Sequence, residues 1–338
     1  MKAAVWKGDN HVDIDDVPMP VPKGNEALIQ VKGAGMCMTD IHLIQGVLRH
    51  TSPPHVLGHE IAGIVAEDTG AFKEGDRVVI STAVGCGRCS FCAGGMKFFC
   101  KNGGEIGFAP YQGGYAEYIC APVDNLLRLP DNVSFDEGAI FESFICPFGA
   151  VYNCGGILDS AVLIMGAGPA GLAFILSAKA AGAGKIIVAA RNKARLEVAA
   201  SLGADVIVDI ASDDVKDIIM AETGGLGPEL VIEAAGAAQS IADSVTYCRH
   251  GGRVLLYGLP GADANIPFPV SDIVTRHISI IGTMGNTSVW QLALDLLECG
   301  RVSLGGIVTH RFPLEKFHDA FALVSSKKDG VIKAVIQP

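Results

Sequence analysis

Four cysteines fall close together as Cys86-x2-Cys89-x2-Cys92-x7-Cys100, in a glycine-rich stretch. Four thiolates at this spacing close a tetrahedral site with no open position, so its metal would be structural. Zn²⁺ is the natural guest, being borderline-soft and without a geometric preference of its own. Arg88, Lys97 and Lys101 stand nearby in sequence to offset the negative charge. Iron–sulfur clusters use other spacings, and disulfides need an oxidising compartment. A second set is dispersed: Cys37-Met38-Thr39-Asp40-Ile41-His42, expected in an early loop, and Gly58-His59-Glu60 after a Pro-Pro turn. Cys37 and His59 offer sulfur and nitrogen to one metal, and a catalytic zinc keeps a place for water or substrate. From spacing alone, a buried apolar cysteine and an ordinary core or surface histidine read equally well.

Val162-Leu163-Ile164-Met165 runs into Gly166-Ala167-Gly168-Pro169-Ala170-Gly171, a strand, a Gly-x-Gly-x-x-Gly turn and the start of a helix. Gly166 permits the turn, Gly168 lets backbone approach a pyrophosphate, and Gly171 lets helix and strand pack closely. Pro169, Ala170 and Gly171 open the helix, whose free N–H groups and positive dipole end suit phosphate. The next strand should end in an acid that grips the ribose 2′-hydroxyl. It ends instead Ala189-Ala190-Arg191-Asn192-Lys193-Ala194-Arg195. A guanidinium pairs well with a 2′-phosphate and a carboxylate repels it, so NADP(H) is expected over NAD(H), held by Arg191 and Arg195. Lys193 reads as the solvated face of the following helix.

The elements that must carry these residues differ along the chain. Up to about residue 150, short apolar runs are punctuated by Gly, Pro, Asp and Asn, which predicts strands with irregular loops. From Val162 the runs Val162–Met165, Ile186–Ala189, Val206–Val208, Leu230–Glu233 and Arg253–Tyr257 alternate with helical segments at 170–181, 193–202, 213–223 and 238–248. Continuous apolar strands separated by crossover helices predict an α/β, doubly wound parallel sheet of the Rossmann kind. A strand at Ile278–Ile281, a helix at Val289–Cys299 and a returning tail follow. The expected organisation is a catalytic domain over 1–150, a dinucleotide-binding domain over 151–290 and a return segment over 291–338.

The chain has 338 residues, enough for two domains, with 26 Lys plus Arg against 36 Asp plus Glu and a formal net charge of −10. The missing basic surplus argues against a nucleic-acid partner. The longest charge-free stretch, Ser160 to Ala178, contains three glycines and a proline, so no membrane span is expected. Met1–Lys7 reads as a strand rather than a leader, which points the ten cysteines to a reducing cytoplasm.

Together these motifs resemble the zinc-containing medium-chain dehydrogenase/reductase superfamily, in its polyol (sorbitol) and threonine dehydrogenase-like subgroup. The likeness spans essentially the whole chain, including Gly113-Gly114-Tyr115-Ala116-Glu117-Tyr118, Phe141-Glu142 and Val231-Ile232-Glu233-Ala234-Ala235-Gly236. It implies a mostly-β, GroES-like catalytic domain beside the Rossmann domain, and two zinc ions per chain. It implies that Cys37, His59 and Glu60 hold the catalytic zinc, and that Glu142 completes the shell directly or through water. Ser143-Phe144 stands where that subgroup has Pro-Leu. By the same resemblance Thr39 bonds the substrate oxygen and starts a proton relay, His42 passes the proton outward, and Asp40 orients a ligand. The implied reaction is hydride transfer between NADP(H) and a secondary alcohol or ketone, of polyol, sugar-derived or amino-alcohol type, by a homodimer or homotetramer. The arginine that holds substrate in sorbitol and threonine dehydrogenases is absent from Gly282-Thr283-Met284-Gly285-Asn286-Thr287. Two other readings stand beside it: an NAD-dependent dehydrogenase of a simple alcohol or a threonine-type amino acid, and a non-catalytic dinucleotide- and zinc-binding protein.

Overall fold

A computed structural model describes every residue except Ala262, Asp263, Gly285 and Asn286. The stretch without arginine at 282–287 therefore lies partly outside the described residues. The chain divides into two compact units, Met1–Ile145 with Asn286–Pro338, and Cys146–Gly285.

The first unit opens with β1 (Lys2–Gly8), β2 (His11–Asp16), β3 (Glu26–Gly35), α1 (Met38–Ile44), β4 (His55–Val56), β5 (Glu60–Val65), β6 (Arg77–Ile80) and β7 (Ala83–Val84). Then come α2 (Ser90–Ala93), β8 (Gly104–Glu105), β9 (Tyr118–Pro122), β10 (Leu126–Arg128), α3 (Phe135–Ala139) and α4 (Phe141–Asn153), whose last turns enter the second unit. Along β3 buried and half-buried residues alternate, the period of a strand with one face on a core. β5 flanks β3 on one side; on the other, β9 pairs with its first half.

The second unit runs β11 (Ala161–Met165), α5 (Pro169–Ala180), β12 (Lys185–Ala190), α6 (Lys193–Leu202), β13 (Val206–Asp209), α7 (Val215–Glu222), β14 (Leu230–Glu233), α8 (Ala238–Tyr247), β15 (Arg253–Leu256), α9 (Val270–Thr275) and β16 (Ser279–Gly282). The strands form one parallel sheet in the order β13-β12-β11-β14-β15-β16. Its direction of growth reverses between β11 and β14, and doubly wound sheets bind ligands at that point. Leu163, Ile187, Val208, Val231 and Val254 pack its core at zero exposure, as apolar strands covered by helices must.

The C-terminal return adds α10 (Trp290–Glu298), β17 (Val308–Pro313), α11 (Phe317–Ser326) and β18 (Lys333–Gln337). β18 lies antiparallel to the end of β3 and parallel to β17. The last residues of the chain thus join the strand that leads into Cys37.

Two local readings change. Cys37–His42 was expected in a loop, but Cys37 caps a helix, with its amide donating to Asp40 Oδ2 at 3.4 Å. Seven residues are too few for a helical period to show in sequence. The second half of the region read as strands and loops also holds α3 and α4. Ser134-x-x-Glu137 is a capping box: Ser134 Oγ accepts from Glu137 N at 3.2 Å, and Glu137 Oε2 accepts from Ser134 N at 3.3 Å. Among the described residues no helix is long and apolar enough to cross a membrane.

Candidate active site

The end of β3, the start of α1 and the start of β5 converge on one point of the first unit. There the ligand atoms of Cys37, His59 and Glu60 lie within 4.8 Å of one another. His59 and Glu60 are buried, and Cys37 is half-buried. Asp40 Oδ1 lies 3.3 Å from His59 Nδ1, which leaves Nε2 as the nitrogen free for a metal. The carboxyl of Asp40 also accepts from Gly58 N at 3.3 Å and from Tyr115 Oη at 2.8 Å. Burial opposes its charge, but His59, Tyr115 and Gly58 outweigh that and hold it below the ordinary carboxylate range. Burial likewise opposes a charged His59, yet Asp40 and Cys37 hold the imidazole well above its ordinary range. The ring is also stacked on Phe108, with centroids 5.4 Å apart.

The residues fit a divalent metal. A thiolate, an imidazole and a carboxylate make a zinc-type donor set. Glu60 Oε2 is buried without a hydrogen-bond partner, an arrangement that costs free energy unless something binds there. Thr39 Oγ1 lies 3.6 Å from Cys37 Sγ, and His42 follows one turn later on α1, half-buried. Glu142 sits in the first turn of α4 and is not part of the three-residue cluster, although its charge acts on Lys333 and Glu105.

The other thiols also meet. The sulfurs of Cys86, Cys89, Cys92 and Cys100 lie within 4.8 Å of one another. Amides of Cys86 and Cys92 point at the sulfurs of Cys100 and Cys89, at 3.3 and 3.4 Å. The amides of Arg88 and Cys89, with Cys100, draw the Cys86 thiol down to about 6, favouring the thiolate that a metal needs.

In the second unit the glycine turn fits a dinucleotide. A Cβ on Gly168 would meet nothing within 4 Å, so the space a phosphate needs is open. Gly168 caps α5, and the first-turn amides of Ala170 and Gly171 have no partner within the helix. Gly171 is different, because a Cβ there would come 1.9 Å from the Gly166 carbonyl oxygen. Gly171→Ala is expected to destabilise the protein by roughly 1–3 kcal/mol through overpacking. It should also weaken binding of a reduced nicotinamide dinucleotide, and thermal melts with fluorescence titration read both effects. Arg191 is exposed just beyond β12, and Arg195 is half-buried in the first turn of α6. Lys193 pairs with Asp209 at 3.5 Å.

Residues 23–131 match the alcohol dehydrogenase GroES-like domain, and residues 169–298 match the zinc-binding dehydrogenase domain. Sorbitol dehydrogenase of Bacillus subtilis (strain 168) is 32% identical over 100% of this chain and 97% of its own length. The chain belongs to the zinc-containing alcohol dehydrogenase superfamily. L-threonine 3-dehydrogenase of the same organism is 33% identical over 98% of this chain and 97% of its own. A zinc-binding dehydrogenase from Sinorhizobium meliloti 1021, bound to NADP, superposes with a TM-score of 0.93 at 29% identity, covering 100% of this chain and 99% of that one. This dehydrogenase is therefore an oxidoreductase of the polyol/threonine-like subgroup, with a Rossmann domain and a GroES-like domain.

Sequence reasoning gave no role to three residues that shape the dehydrogenase's site. Lys333, on β18, is 4% exposed and forms an ion pair with Glu60 Oε1, while its ammonium also donates to Met36 O at 3.3 Å. Ser143 Oγ donates to the same Glu60 oxygen at 2.7 Å, so both donors hold Oε1. Tyr115 Oη, besides touching Asp40, lies 3.1 Å from Gly35 O. A motif containing Tyr115 is visible in sequence, but nothing there ties position 333 to position 60.

Proposed function

We propose that the protein is a zinc-dependent, NADP(H)-preferring dehydrogenase that interconverts a secondary alcohol and its ketone, on a polyol, sugar-derived or amino alcohol. The observation that carries this reading is the convergence of Cys37, His59 and Glu60, with one Glu60 oxygen buried and unpartnered. These three would hold the catalytic zinc, with Glu142 completing its surroundings directly or through water, and the four lobe cysteines would hold a second, structural zinc. A zinc ion at the first site supplies Lewis acidity to an alcohol or carbonyl oxygen. NADP⁺ bound at the glycine turn supplies the hydride acceptor, and that chemistry is the cofactor's own.

The chain's residues do the rest. Asp40 fixes the imidazole of His59 by one nitrogen and so orients the other. Thr39 Oγ1, beside Cys37, accepts a hydrogen bond from the substrate hydroxyl and gives up its own proton as it takes the substrate's. Thr39 and His42 are three residues apart on α1 and share a face, so the His42 imidazole is placed to carry that proton outward. Phe108 covers the imidazole of His59 and limits water there. Phe141 and Phe144 are buried at 0% and 1% exposure and serve the core.

The NADP reading rests on Ala190 at the end of β12 and on Arg191 and Arg195 beyond it. Hydrogen bonds to charged groups contribute about 1.5–3 kcal/mol. Arg191→Ala with Arg195→Ala should therefore raise KM for NADP⁺ by about tenfold or more. KM for NAD⁺ should change far less. Equal effects on both cofactors would show that neither arginine reads the 2′-phosphate. β16, the edge strand of the parallel sheet, exposes Ser279 and Ile280, a surface suited to pairing with a second copy in a homodimer or homotetramer. A cytoplasmic location belongs to this reading, because cysteines that hold a metal must stay reduced.

A further inference from the structure

Glu105 ends β8, in register with Ala83 of β7. The chain after it is fixed against the metal cluster. Ile106 N donates to Thr82 O at 2.9 Å. A Cβ on Gly107 would come within 3.0 Å of the Cβ of His59, and Phe108 stacks on the His59 ring. Gly107 and Phe108, against His59, thus place the strand end that carries Glu105 two residues away in sequence from a contact with the metal cluster.

Its carboxylate makes no hydrogen bond or ion pair among the described residues. Burial above all, opposed by His59 and aided by Glu142 and Asp40, pushes the acid up to about 7. No lysine or arginine is among the charges acting on it. Lys333, the buried ammonium of this region, is taken by Glu60. Half-burying a carboxylate without a hydrogen-bond partner is costly, and among the described residues only the charge of His59 works against that cost.

We propose that Glu105 determines substrate choice by accepting a hydrogen bond from an ammonium on the carbon next to the carbinol. The substrate class is then 1,2-amino alcohols that carry no carboxylate. This rests on the dehydrogenase reading above and narrows it. An amino acid such as threonine brings the same ammonium together with a carboxylate. That carboxylate would meet the like charge of Glu105, while Lys333, the buried ammonium of this region, is already held by Glu60.

The test uses the zinc-loaded protein and its Glu105→Gln variant, which keeps the shape and removes the charge. For each, kcat and KM are measured with NADP⁺ for 1-amino-2-propanol, 2-propanol and L-threonine. Binding of 1-amino-2-propanol to the NADP⁺ complex is measured by calorimetry, and melting temperature monitors the fold. The wild type should prefer 1-amino-2-propanol to L-threonine. The variant should lose at least about tenfold more kcat/KM for the amino alcohol than for 2-propanol, mostly in KM, with a parallel loss in calorimetric affinity. Equal losses for both alcohols, or none, would overturn the proposal, as would a wild type that favours L-threonine. A wild type that binds the amino alcohol but turns over no alcohol would sink the dehydrogenase reading instead. Should Glu105→Gln melt early, Glu105→Asp, which keeps the charge, must retain the preference.

Discussion

Cys37→Ser and His59→Ala are each expected to cut turnover by about a thousandfold or more while NADPH still binds. Both side chains belong to the three-residue cluster, and each supplies one of its donor types. A Lewis acid contributes several kcal/mol to stabilising charge that develops on the reacting oxygen. Each 1.36 kcal/mol is a factor of ten, so the loss is about a thousandfold or more. Cofactor binding survives because the glycine turn belongs to the second unit, Cys146–Gly285, with its own packed sheet. NADPH fluorescence titration and steady-state rates read the two arms separately. Full activity in either variant would refute the assignment of this metal site. Loss of NADPH affinity along with activity would mean that the substitutions damage the whole chain.

The second large effect is on stability. Lys333→Met should destabilise the first unit by about 3–5 kcal/mol, the cost of leaving a buried charge without its partner. Lys333 is 4% exposed and Glu60 0%, so neither is helped by water. Ser143 still donates to Glu60 Oε1, but a neutral donor does not replace an ammonium. Adding Glu60→Gln to Lys333→Met should recover much of the loss, because the buried charge is then gone. Urea unfolding of the single and double variants checks this. The loss in Lys333→Met should grow after chelation, since a bound cation shares the task of compensating Glu60. Independent, additive losses would show that the pair is not coupled.

The parts of the site that were legible in sequence are those set by short spacing. The lobe cysteines are brought together by one loop, and the glycine turn is a contiguous strand, turn and helix start. Their chemistry can be read because local geometry follows from residues a few positions apart. The parallel sheet was legible for a related reason: buried strands are continuous apolar runs. Cys37 and His59 are different, since spacing alone left them open and only family resemblance singled them out. Lys333 could not be read at all. Its partner is 273 positions away, and β18 reaches that partner only by pairing with the end of β3. Glu105 sits in a two-residue strand with no periodic signal. Helix α1 was missed for its length, although its position, one residue after Cys37, gives Thr39 and His42 a common face.

The most direct test of the account is the zinc content of the purified wild-type protein, counted per chain beside that of Cys86→Ser. The account predicts two zinc ions in the wild type, with the one at Cys37, His59 and Glu60 surviving in whatever Cys86→Ser protein remains folded. A single zinc in the wild type, lost entirely in Cys86→Ser, would place metal only in the cysteine lobe and contradict a metal-dependent active site.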